Sequence, residues 1–467
     1  MQSHDLKMTI RFIDLFAGMG GFRLGFEQAA QQLGIKAQCL FSSEIKPHAI
    51  KVYQENFNDY VHGDITKIQA TDIPDFDILL AGFPCQAFSN AGKRLGFADT
   101  RGTLFFEIER ILATKQPKAF ILENVEGLVT HDRIKHNPIG RTLTIILQKL
   151  TELGYQVSWN VFNASEFGLA QIRKRVFIVG TKNQLISLND FPKKKTVISD
   201  ILEQGKPILD TKITRLLLSH FKLPELYGKS VKDKRGGVNN IHSWDIELKG
   251  SVSDEQKKLL NAIMRARRNK KWGELKGIKW MDGMPLTLEE INTFFPHPNL
   301  KSMLDDLTAK NYLKLEHPKD IVQKKDGNGN IREVREYRTD LEKGYNIVAG
   351  KLSYEINKIL DPKHFTPTLV ATDLDRVVVA DGQGLRRLTD IEQKRLFGFP
   401  DNFQLPINSK LAHDLFGNTV PIPVVTAISK RVLEALLHRQ SEKSNQRQID
   451  FKQPETARIS QQYDLFL

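Results

Sequence analysis

Residues 9–21 read TIRFIDLFAGMGG. The first seven form an apolar run typical of a buried strand, a glycine-rich turn follows them, and residues 22–33 have a helical pattern. Gly18 and Gly20 allow a tight turn and a close approach of the backbone to a ligand at a helix N-terminus. The third glycine of the dinucleotide-binding fingerprint is missing, and such a turn also serves as a plain strand–helix connector.

Strand and helix patterns alternate along the chain as far as residue 180. Strand patterns occupy residues 38–42, 60–65, 76–80, 119–122, 157–161 and 176–179, and helix patterns occupy residues 104–115 and 142–153. Strands that alternate with helices predict an α/β fold with a doubly wound, mostly parallel sheet.

Two acidic residues follow strand patterns of this sheet. Glu44 comes after the second strand, where a carboxylate can accept hydrogen bonds from ribose hydroxyls, and Asp64 at the end of the third could accept from an adenine amino group. The sequence lacks the phosphate-cradling loop of nucleoside triphosphatases. We therefore expect a cofactor that contains a nucleoside.

One of only two cysteines, Cys85, lies in AGFPCQAFS, residues 81–89, directly after a strand pattern. Pro84 stiffens the turn that presents its thiol. The strand pattern at 119–122 ends in Glu123, so parallel pairing would bring a nucleophile and a carboxylic acid to one edge of the sheet. This pair suits covalent attack on an electron-poor ring. Taken alone, Cys85 is equally consistent with a small buried apolar residue.

The composition limits the class of protein. The net charge of +13 and the pI of about 9.4 favour polyanionic partners, although a merely soluble basic surface gives the same balance. No apolar run is long enough for a membrane span, and the N-terminus lacks the pattern of a signal peptide. Two cysteines cannot form a disulfide framework, and no Cys/His cluster has zinc spacing, so we expect a cytoplasmic protein without a metal.

Several short blocks occur in the order found in cytosine-C5 DNA methyltransferases of the bacterial restriction-modification type. The blocks are DLFAG at 14–18, GFPCQ at 82–86, RGTLFF at 101–106, ENV at 123–125, QIRKR at 171–175, RLTDIEQKRLFGFP at 387–400 and GNTV at 417–420. The chain resembles this family over residues 9–180 and 366–437. The resemblance implies the sheet of S-adenosylmethionine-dependent methyltransferases, S-adenosylmethionine as methyl donor and cytosine in double-stranded DNA as substrate. It also implies a monomer that acts separately from a companion restriction endonuclease and binds no membrane.

The resemblance also implies roles for individual residues. Cys85 would attack C6 of the cytosine and Glu123 would contact N3, with Asn124 holding the backbone beside them. Arg173 and Arg175 flank one residue and would project to the same face of an extended segment, where one of them could reach the cytosine carbonyl oxygen or the flanking phosphates. An exposed basic edge is the alternative. The residues that would bind the cofactor are Phe16, Gly18, Gly20, Glu44, Asp64, Ile65, Pro84, Leu104 and Asn418.

The target base has to leave the helical stack, since its C6 atom is hidden in a duplex. Ser89, Lys93 and Arg94 follow Cys85 on what we expect to be a mobile loop that closes over DNA, the alternative being a rigid connector. The sequence predicts a catalytic domain at residues 1–190, a return to it at 410–440 and a polar tail at 441–467.

The parallel-sheet pattern is lost at residues 191–409, where the family places its variable target-recognition domain. A helix, helix, strand and hairpin pattern at about 285–340 resembles a winged helix, a module that places a helix in the major groove, but plain packing support is the alternative. Upstream lies a basic run of Arg265, Arg267, Arg268, Lys270 and Lys271. Phosphate contacts are one interpretation of this run and a solvated helix face is the other.

Two other functions have to be weighed. A tRNA cytosine methyltransferase could use the same sheet, but that branch is shorter and differs after the catalytic Pro-Cys. A non-catalytic DNA-binding protein on the same scaffold would not need Cys85, Glu123, Arg173 and Arg175 together.

Overall fold

The computed structural model describes residues 8–84, 104–134, 136–234, 236–279, 283–325, 331–348 and 354–450. The chain divides into two compact units. Met1–Thr196 and Lys394–Leu467 form the first unit, and Val197–Gln393 form the inserted unit. The expected limits of the variable region were 191 and 409, so the return to the first unit occurs earlier in the structure than the sequence pattern indicated.

The first part of the first unit alternates strands with helices. Its elements are β1 (Thr9–Leu15), α1 (Gly21–Gln32), β2 (Lys36–Ser43), α2 (Pro47–Phe57), β3 (Ile78–Gly82), α3 (Leu104–Lys115), β4 (Ala119–Val125), α4 (Arg141–Glu152), β5 (Gln156–Asn163) and β6 (Lys174–Thr181). They form one six-stranded sheet in the order β2-β1-β3-β4-β6-β5. The β1–β2, β1–β3 and β3–β4 pairs are parallel, whereas β6 runs antiparallel to β4 and β5. The predicted doubly wound, mostly parallel sheet is confirmed.

Both faces of this sheet are covered, which explains why its central strands are almost wholly apolar. Residues of β1 alternate between the two sides: Ile13 and Leu15 belong to the core beneath α3 and α4, while Ile10 and Phe12 belong to the core beneath α1. Each core contains fully buried side chains from β3 and β4 as well. Ligands of such sheets bind at the carboxyl ends of the strands, where the strand order reverses, which is between β1 and β3 here.

Two local features differ from the predictions. Residues 60–65 do not form a strand, because only His62 makes a bridge, to Ser43, and Asp64 then caps a short 3-10 helix, Ile65–Lys67. The Asp64 side chain accepts a hydrogen bond from the Thr66 amide, so the backbone turns where the sequence pattern indicated an extended segment. The helix α2 was not predicted. Its first residue is Pro47, a favourable residue for the first turn.

The inserted unit contains shorter elements. They are α5 (Lys212–His220), α6 (Leu223–Leu226), β7 (Ser230–Val231), β8 (Asn240–Ile241), α7 (Asp254–Ala266), α8 (Lys271–Lys276), α9 (Leu288–Asn292), α10 (Leu300–Ala309), β9 (Leu313–Glu316), β10 (Lys319–Lys325), β11 (Ile331–Tyr337), β12 (Gly344–Ile347), β13 (Lys358–Ile359), β14 (Val377–Asp381) and β15 (Gly384–Arg387). One core lies under the sheet β15-β14-β13-β7-β8, and another joins α7–α10 to the β9–β12 pair. The helix, helix, strand and hairpin pattern at about 285–340 corresponds to α9, α10, β9 and the antiparallel β10–β11 ribbon.

The chain returns to the first unit through three helices: α11 (Asp390–Phe397), α12 (Ser409–Asn418) and α13 (Ile422–Asp450). The last of these continues to Asp450, within the segment expected to be a tail. Its Val424, Val425 and Ile428 complete the core beneath α1. In the part of the chain that the structure describes, no helix combines the length and apolarity that crossing a membrane requires.

The contact between α1 and α13 has a feature that can be tested. A β-carbon at Gly25 would lie 2.7 Å from Cγ1 of Val425 and 3.1 Å from the carbonyl oxygen of Ile422. We expect Gly25→Val to lower the free energy of unfolding by about 1–3 kcal/mol, because overpacking a rigid helix contact forces the helices apart. Urea denaturation would measure the change. Gly63→Ala, where the added carbon meets no atom within 4 Å, should leave the midpoint unchanged. An unchanged midpoint for Gly25→Val would contradict the close packing of α13 on α1.

Candidate active site

A cavity of about 470 Å³ opens at the carboxyl ends of β1 to β4. Its volume is within the range of about 300–1,000 Å³ that is typical of small-molecule sites. Eight of the nine predicted cofactor residues line it: Phe16, Gly18, Glu44, Asp64, Ile65, Pro84, Leu104 and Asn418. The structure therefore brings together residues that are as many as 402 positions apart in the sequence, as Phe16 and Asn418 are.

The glycine turn after β1 is held by a carboxylate. Oε2 of Glu44 accepts the Gly18 amide at 2.8 Å, while Oε1 accepts the amides of Ile45 and Lys46 at 2.8 and 2.9 Å. Gly18 and Gly20 have positive φ angles of 56° and 87°. Gly20 does not line the cavity, contrary to the prediction. A β-carbon there would lie 2.2 Å from the ring of Phe57, so this glycine serves the turn and the packing of α2.

The cavity also contains residues that the sequence reasoning missed. Ile45 follows Glu44 and is 68% exposed, although it is a large apolar residue. Lys46 at the cavity wall donates to Oδ2 of Asp414 at 2.7 Å, and the same oxygen contacts Nε2 of His48 at 3.1 Å. Asn418 in turn donates to Oδ1 of Asp414 at 3.1 Å. The position of Ile45 directly after the strand-end acid was the one available signal for it in the sequence.

Glu123 and Arg175 form an ion pair in the cavity wall. Nε of Arg175 lies 2.9 Å from Oε1 of Glu123, and both side chains are about nine-tenths buried. Burial raises the pKa of the Glu123 carboxyl above its ordinary value, while the Arg175 guanidinium and, less strongly, that of Arg173 oppose the rise. The result is a carboxyl group that holds its proton at higher pH than an exposed glutamate.

The register of the sheet places the end of β3 beside this acid. Gly82 pairs with Glu123 in the parallel β3–β4 ladder, and Nδ2 of Asn124 donates to the carbonyl of Phe83 at 3.2 Å. Asn124 thus fixes the backbone that leads into Pro84. Cys85, the predicted nucleophile, lies outside the described residues, as do Ser89, Lys93 and Arg94.

Arg173 does not share the position of Arg175. The residue is 1% exposed, and its Nη2 donates to the carbonyls of Gly417 and Thr419 at 2.8 and 2.7 Å. It also lies over the ring of Phe397 at 5.4 Å. The expectation that the two arginines project to the same face is therefore corrected, since Arg175 lines the cavity and Arg173 does not. Arg173 is a positioning residue that ties the start of β6 to the returning part of the chain.

The predicted basic run in the inserted unit is also divided by burial. Arg267 is 3% exposed, and its Nη1 donates to Oδ1 of Asn346 at 2.6 Å, so it supports the fold rather than offering an exposed charge. Arg268 donates to the carbonyl of Lys234 at 2.9 Å, at the wall of a cleft. Arg265, Lys270 and Lys271 lie outside that cleft.

The site can now be compared with known proteins. A family model described as C-5 cytosine-specific DNA methylase matches residues 10–434. The type II methyltransferase M.NlaIV of Neisseria lactamica is 56% identical over 429 residues, which cover 91% of this chain and 99% of the relative. The type II methyltransferase M.HgiCI of Herpetosiphon aurantiacus is 43% identical over 445 residues, 90% of this chain and 96% of the relative.

A solved structure supports the fold independently. The methyltransferase EhMeth of Entamoeba histolytica matches with a TM-score of 0.50 at 16% identity, over 92% of this chain and 99% of that one. At this identity the likeness concerns the fold alone. The family model spans nearly the whole chain, and it confirms the resemblance seen in the sequence. The chain belongs to the C-5 cytosine-specific DNA methylase family and is a DNA cytosine-C5 methyltransferase.

Proposed function

We propose that this protein transfers a methyl group from S-adenosylmethionine to C5 of a cytosine within a specific double-stranded DNA sequence. The observation that carries the proposal is the buried Glu123–Arg175 pair, beside Gly82 at the strand end that leads to Pro84 and Cys85. The relatives named above are type II methyltransferases, which supports a role as the modification enzyme of a restriction-modification system.

The cavity fits S-adenosylmethionine, which supplies the methyl group when it is bound. A carboxylate offers about four acceptor positions, and backbone amides take three of those on Glu44, which leaves capacity for a ribose hydroxyl. Oδ2 of Asp64 accepts no hydrogen bond within the described ranges and can take an adenine amino group. Phe16 and Ile45 offer apolar surface for the two faces of the adenine ring.

The chain's own residues would activate the base. The Cys85 thiolate adds to C6 of the cytosine and forms a carbon–sulfur bond, while the Glu123 carboxyl gives its proton to N3. These two events break the aromatic conjugation and make C5 electron-rich. Arg175 is placed to hold the cytosine carbonyl oxygen while it keeps Glu123 oriented. Once C5 carries the methyl group, a base removes the C5 proton. Elimination of the thiolate breaks the carbon–sulfur bond, N3 returns its proton to the Glu123 carboxylate, and the aromatic ring is restored.

The partner in this reaction is double-stranded DNA whose target base is flipped out of the stack. We assign Ser89, Lys93 and Arg94, which follow the nucleophile in the sequence, to the segment that contacts DNA beside the site. The enzyme would act as a monomer in the bacterial cytoplasm, and a companion endonuclease would cut unmodified sites as a separate protein.

The nucleophile can be tested with the other cysteine as a matched control. We expect Cys85→Ser to abolish methyl transfer to duplex DNA and to prevent a covalent adduct with 5-fluorocytosine DNA, while DNA binding remains measurable. Cys39→Ser should leave both readouts intact, because burial raises the pKa of the Cys39 thiol to about 12, which keeps it unreactive. Methylation by Cys85→Ser near the native rate would refute the assignment. Transfer to tRNA in preference to duplex DNA would refute the substrate.

The pH dependence of methyl transfer tests the role of Glu123. The protonated acid is the active form, so the rate with saturating substrates should fall as pH rises through the elevated pKa of Glu123. Arg175→Met removes the cation that opposes the rise in the pKa of Glu123. The pKa of Glu123 therefore rises further, and the fall in the rate of methyl transfer should move to higher pH. Glu123→Gln should lower the rate by a factor of about 10²–10⁴ and remove the fall altogether.

Arg173→Met is the matched control for this experiment. It deletes the same charge but also two hydrogen bonds to backbone carbonyls, so it should lower the unfolding temperature and move the pH profile less than Arg175→Met does. If Arg175→Met left the profile in place, or Glu123→Gln kept the native rate, the acid would not be part of the mechanism.

A further inference from the structure

The inserted unit contains a second, larger cleft of about 780 Å³. Of the described residues that line it, eight are lysine or arginine, one of which is the buried Arg267, and three are aspartate or glutamate. The basic residues come from separate segments: Lys232 and Lys234 follow β7, Lys319 and Arg335 lie on the β10–β11 ribbon, and Lys358 lies on β13. A positive cleft assembled from distant segments suits a polyanion.

The segment that carries Lys232 and Lys234 is anchored by the buried acid between them, Asp233. Asp233 is 4% exposed and accepts the amide and hydroxyl of Ser243 at 2.8 and 2.7 Å, together with the hydroxyl of Tyr354. The negative charge of Asp233 is therefore stabilised by hydrogen bonds inside the inserted unit. The two flanking lysines are exposed, and within the described ranges neither ammonium group has a carboxylate partner. The segment thus offers two positive charges to the cleft.

The cleft also brings cations close to each other. Burial lowers the pKa of the Lys358 amine, and the charge of Lys232 lowers it further. Lys358 is held in place by a hydrogen bond to the carbonyl of Gly228 at 2.6 Å. Like charges fixed near one another repel, and an anion placed between them removes that repulsion.

The ribbon adds two more basic groups on a single face. Lys319 pairs with Tyr337 across the ribbon, and Ile321 pairs with Arg335, so the side chains of all four residues share one side. Nζ of Lys319 lies 4.3 Å from the centre of the Tyr337 ring. A two-stranded ribbon of this size can follow or enter a DNA groove.

A winged-helix module would place α10 in the major groove. In contrast to the cleft, α10 carries no excess of positive charge. On α10 and just after it, Nζ of Lys301 lies 2.6 Å from Oδ2 of Asp305, and Nζ of Lys310 lies 2.7 Å from Oδ2 of Asp306. Its cations are therefore already neutralised by its own acids. The preceding helix, α9, has Glu289 and Glu290 in its first turn. This surface offers no surplus of positive charge to a phosphate backbone.

We propose that the basic cleft, and not α10, holds the DNA backbone in the inserted unit. Lys232, Lys234, Lys319 and Arg335 bind phosphates there, and the β10–β11 ribbon lies against the duplex. The inference rests on the proposed function, because it assumes that duplex DNA is the substrate. It replaces the sequence-based expectation that a helix of this module enters the major groove.

The salt dependence of DNA binding tests this orientation on the full-length protein. The cleft variant is Lys232→Gln with Lys234→Gln, and the matched helix variant is Lys301→Gln with Lys310→Gln, so each removes two positive charges. A mixed-sequence 30-base-pair duplex serves as the probe, since non-specific binding is mainly electrostatic. We expect the cleft variant to reduce the slope of log K against log salt by about 1.8, at about 0.9 per phosphate contact, and the helix variant to leave it unchanged.

Further readouts separate this inference from the proposed function. The cleft variant should raise KM for DNA while keeping the native unfolding temperature and KM for S-adenosylmethionine. A reduced slope for the helix variant, or an unchanged slope for the cleft variant, would overturn the cleft assignment while methylation by the native protein still stood. Failure of the native protein to methylate unmodified genomic DNA would instead overturn the proposed function.

Discussion

The electrostatics of the cavity in the first unit depend on the burial of one carboxyl group, that of Glu123. A buried carboxylate is costly, and a buried carboxyl without a partner would simply stay neutral. Arg175 at 2.9 Å opposes the effect of burial without cancelling it, so the acid keeps its proton more firmly than an exposed glutamate and can still release it. This balance between burial and the Arg175 charge requires surroundings that exclude water, and the apolar cores on both faces of the sheet provide them.

Residues whose environment is set by the strands themselves could be predicted from the sequence. Glu44 and Glu123 follow apolar runs, and parallel pairing leaves little choice about where such residues emerge. Arg173 and Arg175 show the limit of this reasoning, because their spacing is that of neighbours on one face. Arg173 precedes β6 and reaches carbonyls more than 240 positions away, at Gly417 and Thr419. No local pattern contains that information.

Charge patterns were the weakest guide. The run that contains Arg267 and Arg268 is uniformly basic in the sequence, yet burial separates these two neighbours, and Arg267 is used inside the fold to hold Asn346. Of the eight basic described residues that line the cleft, Arg267 and Arg268 belong to this run, and the other six come from separate segments between β7 and β13. Charge density along the chain therefore differs from charge density in space, and recognition of a polyanion depends on the second.

The cavity at the carboxyl ends of β1 to β4 cannot be built from the amino-terminal half of the chain alone. A β-carbon at Gly21 would lie 2.6 Å from the Thr419 hydroxyl, so the start of α1 and the segment after α12 approach closely. Thr419 and Asn418 line the cavity, and Asp414 on α12 binds Lys46 and His48 beside the Glu44 carboxylate. Because these contacts join positions near 20 and 45 to positions near 415, they form only after the chain has passed through the whole inserted unit. The cavity thus depends on contacts that are distant in the sequence, although the glycine turn and the acid that begin it lie within the first 45 residues.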